Sequence, residues 1–139
     1  MASHKIRGRQ LSRDTEHRLA LRRNLVLSLF EHGEIRTTPA KAKECKALAE
    51  QMITLARDGT VLSRRKVIQE LNDRRLVDEN FDLIEGKGVT KTVVQRLFSE
   101  VAPKFKGRPG GYTRIIKTGE HRIGDGGDIV ILQLLGESE

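Results

Sequence analysis

The amino-acid sequence predicts an α+β fold in two layers, with about four helices packed on a small mixed β-sheet and a flexible basic arm at the N-terminus. Apolar residues recur at helical spacing through most of the first two thirds of the chain. The last third changes character, because it is rich in glycine and ends in the apolar run Ile129–Leu135. The 139 residues are 37% hydrophobic, which suits one core. We therefore expect an arm over residues 1–13 and a single domain over residues 14–139.

The arm is basic, and its apolar side chains, such as Ile6 and Leu11, are isolated along the chain. Its charged residues include Lys5, Arg7, Arg9 and Arg13, and no acid occurs before Asp14. Such a segment buries too little apolar surface to offset the entropy lost on ordering. We therefore expect it to be flexible when the protein is alone.

The first helix is expected to begin near Ser12–Thr15 and to end at Gly33. Either Ser12 or Asp14 can serve as its N-cap, and Glu16 lies favourably in its first turn. Glycine is the residue that most readily adopts the left-handed conformation after the last helical turn. Apolar side chains at helical spacing form one face, and they are Leu21, Leu25, Val26, Leu29 and Phe30.

A short strand and a second helix follow. Glu34–Thr38 is rich in β-branched residues and predicts the strand. Thr38 and Pro39 then supply the N-cap and first position of a helix that should run to about Arg57. Its inward side chains are expected to be Ala42, Cys45, Ala49, Met52, Ile53 and Ala56.

A third helix is predicted from Leu62 to about Leu76, and a fourth from a cap at Thr90 to an end at Pro103. Residues 77–88, between them, are acidic and then contain glycine, which favours a surface loop. The apolar stripes of the two helices are expected to be Val67, Ile68 and Leu71 in the third, and Val93, Val94, Leu97, Phe98 and Val101 in the fourth.

The C-terminal part predicts two strands joined by glycine. Lys104–Gly111 is a loop by composition, Tyr112–Thr118 a strand, Gly119–Gly127 a connection and Asp128–Leu135 a second strand. The second strand is almost continuously apolar. This pattern indicates either burial on both faces or a central place in the sheet.

The sequence offers no group of residues suited to catalysis, metal binding or a cofactor. Its four histidines are scattered, and its one cysteine, Cys45, lies on the apolar face of a helix. Gly124–Gly127 joins two strands, so it lacks the strand–helix context of a phosphate-binding loop. The acids of residues 78–85 lack the spacing of a calcium loop. We expect neither an enzyme nor a small-molecule substrate.

Targeting and membrane segments are also not expected. The first eleven residues contain no apolar core of a secretory signal. No apolar run approaches the roughly 20 residues that span a bilayer. The interpretation at this stage is an intracellular protein without a membrane anchor.

The charge balance points to a polyanionic partner. Lys and Arg number 26 against 19 acids, which gives a formal charge of +7. Neutralising phosphates releases their condensed counterions, so basic surfaces bind nucleic acids, although charge alone also suits acidic membranes. The basic residues form three clusters, which are the arm, the first helix with Arg18, Arg22 and Arg23, and the stretch Lys104–Arg114.

Each cluster also has an ordinary structural interpretation. The arm could simply improve solubility, and the helical stripe could be a solvated face. In the third cluster, Phe105 is expected in the core, whereas Tyr112 is left open between the core and stacking on a base. Arginine favours the nucleic-acid interpretation, since its planar fork pairs with phosphate and stacks on unpaired bases.

Short motifs along almost the whole chain resemble the bacterial large-subunit ribosomal protein seventeen family. They are Gly8-Arg9-Gln10-Leu11; His17-Arg18, Ala20 and Arg23-Asn24-Leu25; His32-Gly33, Ile35 and Thr37-Thr38; Pro39 and Lys41-Ala42-Lys43-Glu44; Ile53-Thr54-Leu55-Ala56; Arg64-Arg65; Leu97-Phe98; and Gly110-Gly111-Tyr112-Thr113-Arg114-Ile115. Residues 77–91 depart from the family pattern, which indicates an insertion whose role the family does not supply.

The resemblance implies a noncatalytic protein of the cytoplasmic ribosome. It would bind large-subunit ribosomal RNA near the polypeptide exit side, beside neighbouring large-subunit ribosomal proteins. Its RNA contacts would map onto the arm and the His17–Arg23 face, while Gly110–Arg114 could be structural, RNA-contacting or both. The full set of candidate RNA-binding residues is His4, Lys5, Arg7, Arg9, Arg13, His17, Arg18, Arg22, Arg23, Lys41, Lys104, Lys106, Arg108, Tyr112 and Arg114.

Two rival functions remain at this stage. A DNA-binding architectural protein would share the basic arm, but the sequence has no convincing helix-turn-helix. An RNA-modifying enzyme would need a cofactor loop or a cluster of acid, base and nucleophile. Under the ribosomal hypothesis, we expect that replacing Arg18, Arg22 and Arg23 with Ala weakens RNA binding and leaves the fold intact.

Overall fold

The computed structural model describes residues 8–77 and 89–136, of which 77, 89 and 90 are described by their backbone alone. This part of the chain contains four helices and five strands and confirms the α+β class. The elements are α1 (Thr15–His32), β1 (Glu34–Thr37), α2 (Pro39–Asp58), α3 (Val61–Leu71), β2 (Arg75–Val77), β3 (Val89–Thr92), α4, β4 (Thr113–His121) and β5 (Asp128–Leu134). We use α4 for the continuous helical residues 93–104, which comprise Val93–Arg96, a π-helical turn Leu97–Val101 and Ala102–Lys104.

The strands form two sheets, and the described pairings are all antiparallel. The larger sheet has the order β1-β5-β4, so of the two alternatives for the C-terminal strand, the structure shows the central place. In its register, Leu132 of β5 lies between Ile35 of β1 and Ile115 of β4. The smaller sheet pairs β2 with β3. The expectation of one mixed sheet was therefore wrong, since β5 runs opposite to both neighbours and β2 and β3 form a separate ribbon.

α2 provides the surface on which the other elements pack. All six residues predicted to face inward are buried, namely Ala42, Cys45, Ala49, Met52, Ile53 and Ala56. Three of these are alanines, which allow neighbouring backbones to approach closely. α2 contacts α1 and α3 as well as β4 and β5. The core therefore lies around this one helix.

α1 ends as predicted. Gly33 adopts φ +82°, and its N–H donates to the Leu29 carbonyl at 2.8 Å. A residue with a Cβ would be strained in this left-handed conformation. Asp14 occupies the N-cap position, although its side chain makes no capping hydrogen bond.

The third helix is shorter than predicted. It ends at Leu71, and Asn72 closes it in the left-handed conformation with φ +50°. Its buried residues are Ser63, Val67 and Leu71, which are spaced four apart. Ile68 lies about 100° around the helix axis from its buried neighbour Val67. It is 39% exposed, so the prediction that it faces inward was wrong. The following Arg75–Val77 forms β2, where the sequence predicted helix and then loop.

The fourth helix begins later and ends later than predicted. Thr90 belongs to β3, and Thr92 is the N-cap, where it forms a capping box with Gln95. Pro103 does not end the helix, which continues to Lys104. Proline lacks an N–H, and its ring crowds the carbonyl four residues earlier. The wider π turn immediately before it allows the chain to remain helical.

The C-terminal strands have shifted boundaries. β4 starts at Thr113 and reaches His121, so the connection between the strands covers only Arg122–Gly127. Arg122 forms an ion pair with Asp125 at 2.5 Å within this turn. The predicted glycine-rich connection from Gly119 was therefore too long. Residues 78–88 of the predicted acidic loop lie outside the described residues.

Arg57, near the C-terminal end of α2, holds the loop that precedes β4. Its guanidinium donates to the Tyr112 hydroxyl at 2.5 Å and to the Arg108 carbonyl. The Tyr112 ring is 1% exposed and lies 5.1 Å from the Phe105 ring, centroid to centroid. The loop is thus fixed to α2 by one arginine and to the core by two aromatic rings.

The replacement Tyr112→Phe tests this attachment. It removes the hydroxyl that accepts from Arg57 and leaves the ring in place. We expect the free energy of unfolding to fall by about 1 to 2 kcal/mol in urea titrations. As a control, Thr54→Ala removes a hydroxyl bond on the exposed side of α2 and should change it by less than about 0.5 kcal/mol. Equal effects of the two replacements would contradict the anchoring role.

Cys45 gives a second test, because its thiol is enclosed in the core. Burial raises its pKa from the ordinary 9.0 to about 11. The folded protein therefore keeps the thiol protonated in a range where the unfolded chain ionises, so this contribution to stability is lost as pH rises from about 9 to 11. At pH 8 we expect a thiol-specific disulfide reagent to label Cys45 only as fast as the protein unfolds. Rapid stoichiometric labelling without denaturant would contradict the burial.

Candidate nucleic-acid interface

One carboxylate, that of Glu44 on α2, holds the start of the described chain against the helices. The Arg9 backbone N–H donates to its Oε2 at 3.2 Å. Gly8 has φ +88°, and a Cβ at this position would lie 3.0 Å from the Glu44 Oε1. The positive φ therefore favours glycine here, while a Cβ would require the Glu44 carboxylate to shift slightly. The direction of the arm at residues 8–9 is set by this contact, while His4, Lys5 and Arg7 lie outside the described residues.

Two of the three arginines predicted on α1 also hold the helix in place. Arg22 forms an ion pair with Glu44, in which its Nε lies 3.5 Å from the Glu44 Oε1. This nitrogen is buried and makes no hydrogen bond. Arg23 donates its Nε to the Glu70 carbonyl of α3 at 2.7 Å. Arg22 and Arg23 therefore also attach α1 to α2 and α3, so replacing them with Ala would remove contacts within the protein as well as cations.

The same arginines still border the solvent. The Arg22 side chain is 27% exposed, and a guanidinium carries five N–H donors, so donors other than Nε remain. Arg18 lies one turn before Arg22 on the same helix, is half-buried, and is near enough to share a phosphate backbone. We define the arm–α1 surface by its described basic residues, which are Arg9, Arg13, His17, Arg18, Arg22 and Arg23. Lys41, at the start of α2, is half-buried.

The third predicted cluster is only partly brought together. Lys104 and Lys106 are exposed and Arg108 is half-buried, and all three line an open cleft of about 510 Å³ between residues 103–109 and Gly136. Arg108 donates its Nε to the Gly110 carbonyl at 3.3 Å, which gives the loop a fixed shape. We call Lys104, Lys106 and Arg108 the loop surface. An open cleft with three cations is suited to an anion such as phosphate.

Tyr112 and Arg114 do not belong to the loop surface. The predicted core position of Phe105 is confirmed, and Tyr112 joins it there, so its ring is not available to stack on a base. Arg114 lies on the outer face of the sheet, where its Nε donates to Gln133 at 3.1 Å. Gln133 in turn donates to Glu34 at 3.2 Å, which makes a polar ladder across three strands.

The two basic surfaces lie at different points along α2. Glu44 anchors the arm–α1 surface and Arg57 anchors the loop surface, thirteen residues further along the same helix. At 1.5 Å per residue, this separation is about 20 Å. α2 is packed on both sides, so it holds the surfaces at a nearly fixed spacing. The geometry allows two segments of a polyanion to be contacted at once.

Sequence reasoning missed two basic residues that matter here. Arg57 was interpreted only as the end of a helix, although it organises the loop surface. Arg64 on α3 lies with its guanidinium carbon 5.8 Å from the centroid of the Phe98 ring. The signal in the sequence that could have indicated Arg64 as a binding residue was the unbroken basic run Arg64–Lys66.

In the described ranges 8–77 and 89–136, no group of three or more His, Cys, Asp or Glu residues is placed to hold a metal ion. Nor does this part of the chain contain a helix of the length and apolarity needed to cross a membrane. What the described residues present is two cationic surfaces on a rigid support.

Comparisons with known proteins identify the family of this chain. The model of the family described as ribosomal protein L17 matches residues 21–135. A protein named large ribosomal subunit protein bL17 from Clostridium botulinum strain Hall is 46% identical over 91% of this chain and 96% of its own length. The protein of that name from Clostridium acetobutylicum has the same identity and coverage. That from Syntrophotalea carbinolica is 42% identical over 96% of this chain and 75% of its own length. The chain therefore belongs to the ribosomal protein L17 family.

Proposed function

We propose that this protein is a structural constituent of the large ribosomal subunit in the cytoplasm, where it binds ribosomal RNA and contacts neighbouring large-subunit proteins. The relatives at 42–46% identity are named as large-subunit proteins, which supports the assignment of this protein to the large ribosomal subunit. The observation that carries the RNA-binding part is the pair of basic surfaces anchored on α2 at Glu44 and Arg57, two residues about 20 Å apart along the helix axis. The sequence before Gly8 contains further cations, Lys5 and Arg7.

The binding mechanism is electrostatic and depends on shape. Each cation that meets a phosphate releases condensed counterions, which favours association at moderate salt. The deep, narrow major groove of A-form RNA hides its base edges, so backbone and shape are what a rigid protein reads. Two surfaces at fixed spacing would join two RNA segments and hold them in one arrangement. A scaffold role follows from this geometry.

No catalytic step is included in the proposal. Cys45 is the one cysteine of the chain and so the one candidate thiol nucleophile. Burial and the raised pKa make this thiol unreactive in the folded protein. The basic side chains of the two surfaces act as fixed charges. Their role is to bind and to position RNA.

RNA binding can be tested by replacing basic side chains for which no contact to α2 or α3 is described above. In the variant Arg9→Ala/Arg13→Ala/Arg18→Ala, no side-chain contact to α2 or α3 described above is removed, because the contact of Arg9 is made by its backbone. We expect weaker binding to protein-free large-subunit ribosomal RNA. The slope of log affinity against log salt should flatten by about 2 to 3, since each lost phosphate contact accounts for about 0.7 to 0.9. Fluorescence anisotropy at several salt concentrations measures both quantities.

The matched control is Lys117→Ala, which removes one exposed cation from β4. It should leave the affinity and the salt slope as in the wild type. Duplex DNA of equal charge serves as competitor. Binding that is unchanged in the triple variant would place the interface elsewhere, and preferential binding of the duplex DNA would favour a DNA-binding architectural protein.

A further inference from the structure

Phe98 is the described aromatic residue that reaches the surface. Phe30, Phe105 and Tyr112 are each 1% exposed and belong to the core. Phe98 is only half-buried, where it packs against the core from α4. The sequence placed a possible stacking ring at Tyr112. Among the described aromatic residues, the one that remains partly exposed is Phe98.

Arg64 of α3 lies beside this ring, and together they line an open cleft. The Arg64 guanidinium carbon is 5.8 Å from the Phe98 centroid, within the range of a cation–π contact. The cleft has a volume of about 420 Å³, and its other lining residues are Lys91, Gln95 and Ser99. It therefore combines an aromatic ring and a planar cation with an ammonium, an amide and a hydroxyl group.

The charges around the cleft favour an anionic ligand. Arg64 starts the run Arg64–Lys66, and all three of its residues are exposed. Two described acids, Asp73 and Glu100, lie at the start of α4 or on it. Asp73 accepts a hydrogen bond from the Val94 N–H at 3.1 Å. The charge of Glu100 is balanced because Lys91 Nζ lies 2.9 Å and Arg96 Nε 3.2 Å from its carboxylate oxygens. The hydrogen bond from Lys91 also lowers the pKa of Glu100, so the carboxylate stays ionised and paired.

We propose that this α3–α4 cleft binds one unpaired nucleotide of the ribosomal RNA. The base would stack on Arg64 and Phe98, and its phosphate would meet the cations. Gln95 and Ser99 would offer hydrogen bonds to a base edge or a ribose hydroxyl. Aromatic rings and arginine planes are the groups on which splayed-out bases stack in RNA recognition. This inference rests on the proposed function, since it assigns a third RNA contact beyond the arm–α1 and loop surfaces.

A protein partner is the competing occupant. Val61 and Leu62 on the same helix are each 68% exposed and would suit an apolar contact. Neither of them lines the cleft, whose lining is polar apart from one ring. The nucleotide therefore fits the cleft better than an apolar side chain does.

The first experiment measures binding of the full chain to protein-free large-subunit ribosomal RNA across a salt series. Phe98→Leu keeps an apolar side chain but removes the ring, so it should weaken binding by about 5-fold or more with an unchanged salt slope. Arg64→Ala removes a cation as well, so it should weaken binding and flatten the slope by about 1. Lys117→Ala is again the control, and thermal unfolding shows that each variant is folded. Wild-type affinity of folded Phe98→Leu would overturn the cleft proposal.

The second experiment does not depend on the stability of a leucine variant. A photoreactive analogue, p-benzoylphenylalanine, replaces Phe98 in the full chain, and the chain is assembled into purified large subunits. Irradiation should give a covalent adduct between the protein and ribosomal RNA, which is recognised because ribonuclease digests it. An adduct with protein alone, or none at all from a chain that has assembled, would overturn the cleft proposal and leave the proposed function standing. Failure of wild-type chain to enter the subunit or to bind its RNA would overturn both.

Discussion

Burial of one face of α2 is the constraint on which the rest of the structure depends. Six residues of that face are buried, and half of them are alanines, so α1 and the β-sheet can both pack closely against the helix. The partly exposed residues of α2 then act at its margins. Glu44 fixes the start of the chain, and Arg57 fixes the loop before β4. Core packing thereby sets the position of both basic surfaces.

The arginines have two distinct roles, which composition alone does not separate. Arg22, Arg23 and Arg57 make contacts within the protein. Arg74 pairs with Glu31, and Arg96 donates to the Glu31 backbone carbonyl at 2.6 Å. An arginine that holds two elements together still contributes positive potential, but it has fewer donors left for phosphate. The excess of basic residues therefore overstates the number of cations that are free to bind RNA.

Sequence patterns predicted the fold well where a single physical signal dominated. The apolar face of α2 and the glycine that ends α1 follow from periodicity and from φ preference, and both are confirmed. Pro103 was misleading because a π turn, which depends on tertiary packing, accommodates it within α4. Ile68 was misleading because the buried line of α3 runs through Ser63, Val67 and Leu71, which are four apart, and Ile68 lies outside that line. Short strands such as β2 carry too few residues to show a period.

The candidate site was predicted less completely, because its geometry depends on residues distant in sequence. Tyr112 belongs to the core because Arg57 binds its hydroxyl across 55 positions of the chain. The pair of Arg64 and Phe98 forms only where α3 meets α4. Clusters read along the sequence could identify the arm and the first helix, since those residues are neighbours in the chain. They could not show which cations the fold itself uses.

Sedimentation of the tagged chain through sucrose gradients, in moderate and then high salt, tests the central claim most directly. A scaffold held by several phosphate contacts should migrate stoichiometrically with the large subunit and leave it only in harsh salt. Migration as a free protein in moderate salt, or together with chromosomal DNA, would contradict the account.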